Sequence, residues 1–212
     1  MKQGLQTKAV LFSEMTPDSS WEADFNDWYD HEHIPLRMGV PGFQSAQRYV
    51  VPQTRNYLAV YEMDSPAVLR SAAYQSVKNN PSERTQRMLA GVTGFTRYIA
   101  EQVSDFRWQT TDLVEPLDAP YLCVELFEVP ADREHDFNEW YDSGHAPLLL
   151  ECTDSLMVRR FRIVDGEPKR WSHLVLHYLA NRRALESRER EPFTLVDSIY
   201  QKRGSRQHAL EG

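Results

Sequence analysis

Two stretches rich in Val, Leu and Phe, Lys8 to Glu14 and Tyr121 to Val129, have the pattern of β-strands, and each ends near a proline, Pro17 or Pro130. After the first, apolar positions shift to helical spacing. Phe25, Trp28 and Tyr29 form one stripe behind Ser19-Ser20, a helix-capping pair. Pro35 and Pro147 should end these helices by pushing Ile34 and Ala146 out of the helical region. Phe43 to Val51, a turn at Pro52 to Asn56, and Tyr57 to Met63 predict a hairpin. Ser65-Pro66 opens a second helix, broken by Asn79-Asn80-Pro81, and Phe95 to Phe106 predicts another strand. Downstream the order recurs: Leu156 to Val164, a turn at Asp165-Gly166-Glu167-Pro168, Trp171 to Leu179, a charged helix from about Asn181, and Phe193 to Lys202.

The recurrence is also literal. Asp24-Phe25-Asn26-Asp27-Trp28-Tyr29-Asp30-His31-Glu32-His33-Ile34-Pro35-Leu36 returns 112 positions later as Asp136-Phe137-Asn138-Glu139-Trp140-Tyr141-Asp142-Ser143-Gly144-His145-Ala146-Pro147-Leu148, with nine of thirteen residues identical. The chain is therefore read as a tandem duplication of βαββαβ units. The boundaries are 1–108, a linker at 109–119, 120–204, and a frayed tail at 205–212. A βαββαβ unit is ferredoxin-like, with an antiparallel sheet and both helices on one face. The other sheet face needs cover. The predicted class is α+β, with the two sheets pairing into an intramolecular barrel and a pocket in the space they enclose.

Composition narrows the partners. A formal charge of −7 without a dense basic–aromatic surface argues against nucleic acid. The tract from Arg182 to Arg190 is interrupted by glutamates, as on a solvated helix. No apolar run of membrane-spanning length and no secretory pattern is present, so a cytoplasmic protein without membrane partners is expected. Cys123 and Cys152 have neither disulfide-framework nor metal spacing.

On a helical wheel, Asn26, Asp30 and His33 fall within about 60° of one another, with Tyr29 beside them. Asn138, Asp142, His145 and Tyr141 repeat this face. A carboxylate one turn before an imidazole can orient a general acid/base. The competing reading is structural: a His at a helix end can bond the last carbonyls. His31 and Glu32 become Ser143 and Gly144, and their spacing does not converge on an ion, so no metal is expected. Arg48 and Arg160 share the 112-residue offset and could fork an anionic group, and Tyr57 and Tyr61 lie on one strand face. His173 and His177, about 13 Å apart along a strand, cannot share a metal.

The Trp28-Tyr29-Asp30-x-x-His33-x-Pro35 helix, followed by Val40-Pro41-Gly42-Phe43 and Gln47-Arg48-Tyr49, resembles the dimeric α+β barrel superfamily, especially its EthD-like members. The second half keeps Trp140-Tyr141-Asp142 and His145-Ala146-Pro147 but has Thr153-Asp154-Ser155-Leu156 in place of Val-Pro-Gly-Phe. The resemblance implies two ferredoxin-like units joined as one barrel, with a further homodimer open. Relatives include cofactor-independent monooxygenases, lactone isomerases, polyketide decarboxylases, dehydratases and haem enzymes. It therefore implies a cofactor-independent enzyme performing decarboxylation, dehydration or isomerisation on a small aromatic or polyketide-like acid, in catabolism or secondary metabolism. His33 would be the acid/base and Asp30 its orienter, with His145 and Asp142 as their counterparts. Arg48, Arg160 and Asn26 would bind the substrate, and Tyr29 or Tyr61 would position an oxygen. A haem protein and a non-catalytic ligand-binding or stress protein are the alternatives.

Overall fold

Alternating apolar residues on eight strands leave two faces to bury, and the chain buries both by closing a barrel inside a helical layer. A computed structural model describes residues 8–107, 115–185 and 193–209. The first half runs β1 (Ala9–Thr16), α1 (Glu22–Trp28), a π-helical turn (Tyr29–His33), α2 (Ile34–Met38), β2 (Phe43–Val50), β3 (Tyr57–Met63), α3 (Ala72–Asn79), α4 (Glu83–Gly91) and β4 (Thr93–Arg107). The second runs β5 (Tyr121–Glu128), α5 (Glu134–Trp140), a π turn (Tyr141–His145), α6 (Ala146–Leu149), β6 (Ser155–Glu167), β7 (His173–Leu179) and β8 (Thr194–His208).

The strands close in the order β1-β3-β2-β8-β5-β7-β6-β4, every neighbour antiparallel. The halves meet at two seams, β2 with β8 and β4 with β6, so the chain is a tandem ferredoxin-like α+β barrel. Val10, Phe12, Leu58 and Val60 of the first half meet Leu122, Leu174, Leu176 and Phe161 of the second in one buried cluster. The opposite residues, such as Leu11, Ala59 and Tyr61, pack with Phe25 and Trp28 of α1. The wall of the enclosed space is thus buried core.

Other boundaries differ for physical reasons. Ile34 and Ala146 keep helical dihedrals ahead of their prolines. A π turn intervenes instead: the Ile34 N–H donates to Tyr29 O and the Ala146 N–H to Tyr141 O, five residues back. The wider turn makes room for a proline ring that would strike the preceding turn of an α-helix. His33 and His145 therefore lie inside a continuous helical path and not at a helix end. Asp18, rather than Ser19-Ser20, caps the start, accepting from the Ser20 N–H. β6 runs on to Glu167, beyond the expected turn at 165. β8 passes Gly204 (φ +65°) and continues to His208, pairing with Ser45 of β2, so ordered structure extends past 204. In the expected charged helix only a 3-10 turn, Arg182–Leu185, is described; 186–192 and linker residues 109–114 lie outside the described residues. Among the described residues no helix is long and apolar enough to cross a membrane.

Candidate functional site

The repeated helix in each half carries acceptors at Asn and Asp four residues apart, one turn of helix, facing an arginine on the next strand. In the first half Arg48 donates through Nη1 to Asp30 Oδ1 and through Nη2 to Asn26 Oδ1, both at 2.7 Å. Its guanidinium lies 4.5 Å from the centre of the Tyr29 ring and 5.1 Å from that of Tyr57. In the second half Arg160 donates to Asp142, and to Asn138 Oδ1 at 2.6 Å, and lies 4.7 Å over Tyr141. Both arginines are buried. A buried guanidinium needs acceptors for its forked donors, and that requirement accounts for the survival of Asn and Asp in both copies.

The expected Asp–His pairs do not form in the first half. Asp30 faces Arg48, and no hydrogen bond or ion pair among the described residues joins it to His33. His33 is packed with its ring centre 4.3 Å from Trp28 and 4.8 Å from Tyr29. His145 stacks on Trp140 at 4.6 Å. Burial, reinforced by Arg37 and Arg48, holds the His33 pKa well below the ordinary imidazole value. Tyr61 is buried with its phenol set toward that of Tyr29, and burial raises both phenolic pKa values.

His173 is lowered to about 4, by burial first and then by Arg160 and Arg162, against an opposing contribution from Glu134. These two histidines predict the acid limb of stability. Each binds a proton more weakly when folded, so below about pH 6.5 the unfolded chain takes up protons that the native state refuses, and stability falls with pH. For His173 the loss accrues between about pH 6.5 and 4 and amounts to roughly 2–3 kcal/mol. Urea denaturation of His173→Gln across this range should show a flatter pH dependence than wild type.

The halves are alike in fold but not in chemistry. Arg48 pairs with Ala59 and Arg160 with Val175, so Tyr61 of β3 corresponds to His177 of β7. Likewise Ser13 corresponds to Glu125, and the strand partner of Ser13, Arg97, to the partner of Glu125, Asp197. In the second half His177 Nε2 lies 2.8 Å from Glu125 Oε2 and 3.3 Å from Tyr141 Oη. All three side chains are at most 1 % exposed. A carboxylate, an imidazole and a phenol sharing one nitrogen form a proton-exchange cluster. Sequence reasoning misses Glu125. The available signal is a lone carboxylate in the apolar run Tyr121-Leu122-Cys123-Val124-Glu125-Leu126-Phe127, which requires a buried partner.

Among the described residues no group of three or more His, Cys, Asp or Glu side chains could hold a metal ion. A haem would need an imidazole facing a porphyrin-sized gap. The buried histidines instead pack on aromatic rings or, like His177, hydrogen-bond a carboxylate, so the residues present do not fit that group.

No family model matches the chain, and no curated protein matches it. Solved structures do match over nearly its whole length. An anthrone oxidase-like protein aligns with a TM-score of 0.74 at 11% identity, over 98% of this chain and 95% of its own. A protein described as a candidate monooxygenase, from Fusobacterium nucleatum, aligns with a TM-score of 0.60 at 7% identity, over 93% and 94%. A chlorite dismutase variant from Candidatus Nitrospira defluvii, in complex with cyanide, gives 0.53 at 9%, over 94% and 92%. At these identities the likeness is one of fold, and it places the chain among ferredoxin-fold α+β barrels.

Proposed function

We propose that the protein is a cofactor-independent enzyme that moves a proton on a small enolisable acid of aromatic or polyketide type, with its reacting group in the second half. The observation that carries this reading is the Tyr141–His177–Glu125 cluster. The first half builds the same barrel wall with Tyr61 and Ser13 at the positions of His177 and Glu125, so the fold does not demand them. Burying a carboxylate and an imidazole costs several kcal/mol unless the pair is satisfied. Retention of such a pair in one half only suits a chemical role. The EthD-like helix motif and the fold shared with an anthrone oxidase-like protein support the same class.

In this mechanism Tyr141 gives its hydroxyl proton to His177 Nε2, where Glu125 Oε2 accepts the resulting N–H. The Arg160 guanidinium over the ring offsets the phenolate charge. Tyr141 is buried, so this mechanism requires the helix that carries it to move off the sheet and admit the substrate. The phenolate oxygen then takes a proton from the acidic C–H of the substrate, leaving an enolate, and the reverse transfer returns a proton to carbon or to an adjoining leaving group. His33 and the Asn–Asp–Arg clasps hold the helices against the sheet.

A panel of enolisable aromatic acids incubated in D2O tests this. Wild type should incorporate deuterium at the acidic carbon of at least one member, and His177→Gln should slow that exchange by a hundredfold or more, as expected for loss of a positioned acid/base. Exchange that persists in the folded variant would count against the assignment.

A further inference from the structure

The first half, which has Tyr61 and Ser13 in place of the acid/base pair, carries a cleft on its outer face. Between α3 with its preceding turn and the outer face of β4 lies a cavity of about 530 Å³, within the size range of small-molecule sites. It reaches across the β4–β6 seam to Val164 and Asp165 of the second half. Its walls are of two kinds. Leu69, Tyr74 and Ile99 are buried apolar side chains at the base, and Val164, 43% exposed, forms an apolar lip. Arg70, Lys78 and Arg97 supply three positive charges.

These cations have no carboxylate partner among the described residues, in a protein where Arg48, Arg84, Arg159, Arg160 and Arg170 are all ion-paired. Of the two acids at the cleft, Glu101 is paired with Arg162 at 3.4 Å, leaving Asp165 as the opposing charge. The chain as a whole is negative, at −7, so an unpaired cationic rim runs against its average charge. At the corresponding place on the other sheet Arg97 is replaced by Asp197, so the duplication does not impose the positive charge.

We propose that this cleft binds an amphipathic organic anion, a flat apolar body with a carboxylate. The body lies against Leu69, Ile99 and Val164, and the carboxylate is held by Arg97 and Lys78, with Arg70 adding to the field. The bidentate geometry of a guanidinium suits a carboxylate. Because the ligand touches both halves at one seam, binding should also raise the resistance of the barrel to unfolding. The assignment does not depend on where proton transfer takes place.

The test is calorimetric titration with 2-naphthoate and with its neutral analogue 2-naphthalenemethanol, on wild type, on the surface double variant Arg97→Gln/Lys78→Gln, and on His177→Gln. The naphthoate should bind wild type saturably at one site, at least tenfold more tightly than the alcohol, and raise Tm. The double variant should lose at least tenfold in naphthoate affinity and keep its affinity for the alcohol, and His177→Gln should bind as wild type does. No saturable naphthoate binding, equal affinity for the two probes, or an unchanged double variant would overturn the proposal.

Discussion

Arg159→Met should lower the free energy of unfolding by about 3–5 kcal/mol, the usual consequence of removing one partner of a buried ion pair. Glu62 and Arg159 lie inside the barrel at 0% and 2% exposure. Arg159 donates from Nη1 to Glu62 Oε1 at 2.6 Å and from Nη2 to Oε2 at 3.0 Å, a two-pronged pair. Its Nε also donates to Gln102 Oε1 at 3.0 Å, and the guanidinium sits 4.8 Å from the Phe161 ring centre. β3 and β6 are not neighbours in the barrel order, so the pair crosses the interior and bolts the first half to the second. Methionine would take the two-pronged guanidinium away from the buried Glu62 carboxylate. Replacing both residues, Glu62→Leu with Arg159→Met, should recover most of the loss, because the desolvation of both charges disappears with them. Urea denaturation of the two variants reads this directly. A single-variant loss below about 1 kcal/mol would mean that water or a rearranged partner reaches Glu62.

Glu125→Gln should reduce turnover by about a hundred- to ten-thousand-fold while leaving KM nearly unchanged. The amide keeps the shape but offers a weaker acceptor to the Nε2–H of His177, so the imidazole is a poorer sink for the Tyr141 proton. Substrate binding does not use Glu125, whose carboxylate is engaged by His177 Nε2 at 2.8 Å on the side away from the reacting oxygen in this mechanism. Tyr141→Phe, which removes the oxygen that meets the substrate, should be at least as severe. Comparable kcat values for Glu125→Gln and wild type would reduce the cluster to a packed polar network.

The barrel was largely legible because its signals are local. Strand alternation, the repeated thirteen residues and the βαββαβ order each sit within short windows, and two uncovered sheets in one chain have few ways to be buried. The site was less legible because its determinants are long-range or alter the local period. A wheel at 3.6 residues per turn puts Asp30 and His33 on one face, but the π turn from Tyr29 to His33 widens the helix between them. The partner of Asp30 is Arg48, on a strand eighteen residues away. The constant 112-residue offset holds for β2 and β6 but fails for β3 and β7, since the second hairpin is four residues longer. That slip hides the correspondence of Tyr61 with His177, and with it the pairing of His177 and Glu125. β8 continues beyond Gly204 because it pairs across a seam with β2, a contact that no local pattern announces.

Steady-state rates of wild type, His177→Gln and His33→Gln on the first substrate that exchanges deuterium distinguish the two halves most directly. A reacting group in the second half predicts that His177→Gln loses at least a hundredfold in kcat, while His33→Gln, once shown to be folded, stays within about tenfold of wild type. The opposite order, with His33→Gln inactive and His177→Gln close to wild type, would return the chemistry to the first half and contradict the assignment.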